Sequence, residues 1–286
     1  MKKIFLLAVG ALVMAACSND EINEVQTFVP DKGEIQLMLV HPNQTRATET
    51  AFENTDEIGV YVTKSGEDLQ VGGNVVNNEL FTYNGTSWSS ARRVYWNEGL
   101  HNVYAYYPYS KTVNDVKDYS FELQADQSTA TGYTKSDFLW AGKTDVEASA
   151  TAVPMQFAHK MSTVTVVLQK GENYTGDIPV ETEVYIHSTV TKAVIDLSTG
   201  DVAKDDYAGT SSIKALQKSA TTYAAIVVPQ NITTRRPLVE IIADGVSYLM
   251  EGKISLKPGY RHTITVTLDK NPEQTKIDIG GEIVNW

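Results

Sequence analysis

One cysteine, Cys17, stands in 286 residues. It has no internal disulfide partner and no thiolate cluster to join, so its position must explain it. Basic runs are equally scarce. None is longer than Arg92-Arg93 or Arg235-Arg236, and 24 Lys and Arg face 35 Asp and Glu, for a net charge of -11. A partner phosphate backbone needs a basic face to neutralise it, which excludes nucleic acid. No apolar run reaches the roughly 20 residues that cross a bilayer as a helix. The usual marks of catalysis are missing as well: no Gly-x-Ser-x-Gly, no phosphate-cradling loop, and no Gly-x-Gly-x-x-Gly after a strand. His41, His101, His159, His187 and His262 are scattered, with no two at ligand spacing, so neither metal nor cofactor is expected. Residues 200–206 lack the alternating acids and glycine of a calcium loop and read as a turn. Adjacent acids such as Asp56-Glu57 and Asp205-Asp206 would point apart on a strand, which leaves an enzyme as the weakest reading.

The start of the chain explains the cysteine. Lys2 and Lys3 precede an apolar run over residues 4–14 and the small pair Ala15-Ala16, the pattern of a secretory signal peptide covering residues 1–16. Leu12-Val13-Met14-Ala15-Ala16-Cys17 resembles a lipobox, although leucine more often stands where Met14 does. A cut between Ala16 and Cys17 would leave Cys17 first in the mature chain and ready for lipid. Several acyl chains anchor durably where one binds only marginally. The competing reading is an ordinary signal peptide with an incidental cysteine. Acidic residues in Ser18-Asn19-Asp20-Glu21 are a cue for the outer face of the membrane, and the excess of acid suits a soluble surface outside the cell.

After a polar tether over residues 17–33, nearly every apolar stretch has period two. Ile35, Leu37 and Leu39 alternate with Gln36, Met38 and Val40. Thr163-Val164-Thr165-Val166 and Thr263-Ile264-Thr265-Val266 alternate more cleanly. Such patterns, with β-branched residues bounded by Gly, Pro, Asn and Asp, signal half-buried antiparallel strands. Fifteen tyrosines and the Thr-rich strands agree. Helical period is scarce, residues 213–220 being the best short candidate. Many short strands with frequent turns predict an all-β chain of β-sandwiches. The length allows two domains, divided near residue 157 into 34–157 and 158–286.

Six further segments and a terminal tryptophan point in one direction. Phe52-Glu53-Asn54-Thr55-Asp56-Glu57-Ile58-Gly59-Val60-Tyr61 comes first. Arg93-Val94-Tyr95-Trp96 and His101-Asn102-Val103-Tyr104-Ala105-Tyr106-Tyr107-Pro108-Tyr109 follow. Asp137-Phe138-Leu139-Trp140-Ala141 precedes Met155-Gln156-Phe157-Ala158-His159-Lys160-Met161-Ser162. Last come Leu256-Lys257-Pro258-Gly259-Tyr260-Arg261 and Trp286. In this order they resemble landmarks of the fimbrillin-like proteins of Bacteroidales, the subunits of type V pili, over almost all of the mature chain.

The resemblance implies two transthyretin-like antiparallel β-sandwich domains in tandem. It also implies a lipoprotein precursor at the outer membrane and cell surface, cut by an arginine-specific protease and polymerised by donor-strand exchange with other pilin subunits. The matching cut here falls between Arg46 and Ala47, in a polar stretch after Pro42 and Asn43 where nicking is favoured. It would release the lipid on Cys17 together with the strand carrying Ile35, Leu37 and Leu39; the alternative is a solvated surface arginine. The donor candidate is the C-terminal strand with Ile277, Ile279, Ile283 and Trp286, interrupted at Gly280-Gly281. Its alternative is a final strand paired permanently in the second domain. Trp88, Trp96, Tyr104, Tyr106, Tyr107 and Tyr109 admit another reading, a monomeric surface lipoprotein binding host or bacterial glycan or a protein ligand through exposed aromatics. An uncleaved pilus anchor is a third.

Overall fold

Strand Leu100–Tyr107 carries two apolar patterns at once, Val103 and Ala105 on one face and Tyr104 and Tyr106 on the other. A strand with both faces apolar must be covered on both sides, and the fold is built around that requirement. The computed structural model describes residues 33–42 and 51–286; Ala16, Cys17, Arg46 and Ala47 lie outside the described residues. Among the described residues nearly all of the regular structure is β-strand, arranged in five sheets.

Leu100–Tyr107 lies inside a six-stranded sheet ordered Trp88–Ser90, Val76–Tyr83, Glu57–Lys64, Leu100–Tyr107, Leu139–Glu147, Ala158–His159. All of its pairings are antiparallel. Ile58, Val60, Val103 and Ala105 on one face pack against Ile35, Leu37, Val153 and Met155 of a two-stranded sheet, Leu37–Val40 with Val153–Gln156. Tyr61, Tyr104 and Tyr106 on the other face meet Tyr119, Phe121 and Ile195 of a three-stranded sheet. That sheet joins Tyr119–Glu122 to Lys192–Asp196, strands on opposite sides of residue 157. Gly59 lies opposite Tyr106 in the ladder, and a Cβ there would stand 2.2 Å from the Tyr106 ring. Glycine therefore lets the tyrosine lie across the neighbouring strand.

In the second half, a six-stranded sheet faces a four-stranded one across a core of Val164, Val166, Ile264 and Val266 against Val184, Ile186, Val239 and Ile241. Its order is Leu216–Ser219, Thr222–Val227, Ser162–Lys170, Tyr260–Leu268, with Lys276–Asp278 and Ile283–Asn285 both paired to the last strand.

The structure corrects three expectations. Two pairings are parallel, Leu37–Val40 with Val153–Gln156 and Ser162–Lys170 with Tyr260–Leu268. Each joins strands far apart in sequence, as a parallel pair requires. The expected helix over residues 213–220 is instead the strands Thr210–Lys214 and Leu216–Ser219. Ile213 and Ala215, two apart, point into the core, and that spacing overrides helical period. The expected turn at 200–206 contains the strand Asp201–Lys204, paired with Lys192–Asp196. A short helix, Ala130–Thr134, is capped by Thr129, whose side chain accepts from the Gly132 amide.

Phe138 is fully buried where the tyrosine face meets the three-stranded sheet, with Tyr106, Tyr119 and Phe121 around it. Phe138→Ala is expected to lower unfolding free energy by about 3–5 kcal/mol in urea titration. A loss below about 1 kcal/mol would contradict this placement.

Candidate functional site

Residues 33–42 form a strip along the open side of the first core. The Ile35 amide donates to the Val94 carbonyl at 2.9 Å, and the carbonyls of Gln36 and Val40 accept from Val153 and Phe157 at 2.9 and 3.0 Å. Ile35 and Leu37 are 3% and 6% exposed, Leu39 is half-buried, and Met38 between them is 53% exposed. The alternation read from the sequence thus fills the core with one side of the strip. Along Leu37–Val40 only one edge is laddered among the described residues. Beyond it a groove of about 520 Å³ separates residues 34–39 from Thr86, Ser87 and the edge strand Trp88–Ser90.

The C-terminal strand is docked. Lys276–Asp278 and Ile283–Asn285 each make a three-residue antiparallel ladder with Tyr260–Leu268. The register slips by two residues across Gly280-Gly281, and the close approach there requires glycine, since a Cβ on Gly281 would meet the Thr263 carbonyl oxygen at 2.5 Å. Ile277 and Ile279 reach the second-half core half-buried, Ile279 lying over Gly252 where a Cβ would stand 2.2 Å from its Cδ1. Ile283 is 51% exposed. Trp286 turns to the opposite face, 7% exposed, with its amide donating to the Gly259 carbonyl at 2.9 Å.

The ends of these two segments meet. His41 packs edge-on to His159, ring centroids 5.6 Å apart, and Trp286 stacks on His159 at 4.0 Å and 10°. Asp137 hydrogen-bonds His159 Nδ1 at 2.9 Å through Oδ2. Phe52 touches His41, Trp88 and Phe157 edge-on at 4.9–5.4 Å. Val40, His41 and Pro42 line a cleft of about 880 Å³ together with Asn285 and Trp286. Sequence reasoning named both segments but missed His159 and Asp137 as the place where they join. Both residues stood within quoted landmarks, yet nothing in linear order shows that the landmarks converge.

The aromatic set proposed for glycan contact is not displayed. Trp88, Trp96, Tyr104 and Tyr106 are buried, and Tyr107 and Tyr109 are half-buried. The second cover over Leu100–Tyr107 buries Tyr104 and Tyr106, whereas Trp88 and Trp96 lie in the core shared with the N-terminal strip. His187 lies apart, between Ser212 at 2.6 Å and Glu240 at 3.0 Å, as a cross-strand polar link. Among the described residues, no group of three or more His, Cys, Asp or Glu could hold a metal ion, and no helix is long and apolar enough to cross a membrane.

A family model described as fimbrillin-like matches residues 45–286. A protein of Bacteroides ovatus named as a fimbrium tip subunit, Fim1C, is 30% identical over 194 residues, covering 59% of this chain and 35% of that protein. The chain thus aligns with about a third of the length of this curated relative. A crystal structure of a Bacteroides ovatus protein named for cell adhesion has a TM-score of 0.71 at 19% identity, covering 88% of this chain and 96% of that one. A Bacteroides uniformis protein named likewise has a TM-score of 0.67 at 20% identity, covering 90% and 100%. At these identities the solved structures establish a shared fold.

Burial holds the His41 ring's pKa down, from 6.5 to about 4, with neighbouring His159 lowering it further and Asp137 opposing. Glu53 and Asp56 face the same small cavity, and burial raises the Asp56 pKa, an effect of opposite sign. The folded strip therefore holds neutral His41, whereas the unfolded chain binds its proton below about 6.5. Stabilisation from His41 is complete above about 6.5 and is lost as pH falls toward about 4. Hydrogen-exchange protection of Leu37–Val40, corrected for intrinsic rate, is expected to fall a few-fold per unit across that window. This is below the roughly tenfold of one fully coupled proton. His41→Phe is expected to remove the slope, and an unchanged slope would rule out His41 as its source.

Proposed function

The chain belongs to the fimbrillin-like family, and from that membership we propose that it is a structural subunit, stalk or tip, of a surface fimbrium. On this reading it is exported as a lipoprotein on Cys17 and held at the outer membrane. An arginine-specific protease then cuts between Arg46 and Ala47, and other pilin subunits join by strand exchange at the cell surface. Residues 34–157 and 158–286 serve as its two domains. No catalytic role is part of the proposal.

The observation that carries it is the placement of Ile35 and Leu37. They sit in a core otherwise built from residues 58–157, on a strip with a short ladder to Val153–Gln156 and an open groove along its other edge. Fully burying each side chain is worth roughly 1.5–3 kcal/mol. Half-buried Leu39 adds less, so the strip contributes a large part of the roughly 5–15 kcal/mol by which a domain is stable. Its loss would bare apolar pockets and the backbone groups of residues 153–157. An alternating strand from another subunit restores both. The C-terminal strand, with Ile277, Ile279, Ile283 and Trp286, supplies such a pattern and is our candidate donor. An adhesive ligand, glycan or protein, would contact surfaces other than the buried aromatic set.

Treating purified full-length precursor with an arginine-specific protease is expected to yield a product starting at Ala47 and a ladder of oligomers that survives detergent but not boiling. Arg46→Ala is expected to abolish both. Precursor left whole at Arg46, or cut cleanly yet still monomeric, would count against strand exchange. Mass spectrometry of protein sheared from cells is expected to find free Ala47; acylated Cys17 would point to an uncleaved anchor.

A further inference from the structure

Two segments with no shared ladder meet at one side chain. Residues 37–40 pair with Val153–Gln156, and the C-terminal strand pairs with Tyr260–Leu268. Between them stands His159, 4% exposed, with His41 against one side, Trp286 stacked on its face, and Asp137 bound to its Nδ1. Trp286 is also the best-buried apolar residue of the tail, whose other apolar residues are half-buried or exposed. Its ladder is interrupted at the glycine pair and lies at the sheet edge.

We propose that His159 couples the docking of the two segments, so that removing the strip ending in His41 loosens the Trp286 end of the C-terminal strand. His41 packs edge-on against the His159 ring and limits how far it can turn, and Val40, His41 and Pro42 line the same cleft as Asn285 and Trp286. Take residues 40–42 away and the His159 ring loses its edge-on neighbour, while the cleft beside the stack widens. Asp137 still holds Nδ1 but leaves the ring free to pivot about that bond. The tail loses support at the residue that anchors it, while its ladders remain intact. For its role in assembly the coupling rests on the strand-exchange reading: a cut that frees the lipid and opens the acceptor groove would also release the same subunit's candidate donor.

The coupling is measurable in the uncut full-length chain, without protease or oligomers, so it and strand exchange can fail separately. Hydrogen exchange of His41→Ala is expected to speed the amides of Ile283–Asn285 and Trp286 by about 5- to 150-fold, the span of typical coupling free energies. Amides of Thr222–Val227, in the same sheet, should stay as in the parent and show that the fold is intact. His41→Phe, which keeps a ring against His159, should retain most of the tail's protection. Coupling is reciprocal, so Trp286→Ala should speed Leu37–Val40 by a similar factor. Tail exchange unchanged in His41→Ala, or a Trp286→Ala effect confined to the tail, would overturn the proposal.

Discussion

Covering both faces of strand Leu100–Tyr107 is the constraint from which the rest of the molecule follows. An ordinary sandwich strand leaves one face to water, but here Val103 and Ala105 claim one cover and Tyr104 and Tyr106 another. The first is the small sheet holding the N-terminal strip. The second is the three-stranded sheet that draws Lys192–Asp196 from the second half onto Tyr119–Glu122. One strand thus makes the two halves share an aromatic core and draws the N-terminal strip into the other core. A tyrosine suits the shared face because it brings a large apolar body with a polar tip. The Tyr106 hydroxyl donates to Asn78 Oδ1 at 2.8 Å.

Period two made the strands legible in the sequence, because alternation is a local property that each strand carries by itself. Ser162–Lys170 and Tyr260–Leu268 contain the clean Thr and Val alternations, and the strip presents Ile35 and Leu37 inward as its spacing requires. Partners were not legible. Alternation fixes which side chains share a face but not what lies beneath them, so an aromatic face awaiting a cover reads the same as one awaiting a ligand. The two parallel pairings escaped for a related reason, since nothing local distinguishes a strand that will find a distant parallel neighbour. Gly59 illustrates the limit. The motif displays it, yet its role as clearance for the Tyr106 ring emerges only when the strands are side by side. Asp137, His159, Gly259 and Trp286 likewise stand in separate landmarks that folding gathers into one place.

The two mobile parts of the proposed mechanism are built differently. The strip owes its place to two deeply buried side chains and a short ladder, whereas the tail owes its own to two three-residue ladders and one buried ring. A structure held by few, concentrated interactions can lose a segment without losing the fold, because neighbouring ladders do not depend on it. None of the antiparallel pairings in the sheet of residues 57–159 is made to the strip.

On the strand-exchange reading, that asymmetry also sets the direction of the reaction. In the docked tail, Ile277 and Ile279 are half-buried and Ile283 lies half in water. The places held by Ile35 and Leu37 in the first core are almost closed to water. Moving an isoleucine from half-buried to fully buried gains about 1 kcal/mol, so a tail transferred into a vacated groove gains at each position it fills. Against this stands Trp286, which leaves a stack and a cleft wall behind. While the strip is present the comparison does not arise, since the groove is occupied and His41 supports the stack. Once the strip is gone, the groove is empty and the stack has lost its outer neighbour, and both changes favour transfer. The same few side chains can therefore keep a subunit closed before a cut and favour its joining a neighbour after it, with no energy source beyond apolar surface taken out of water.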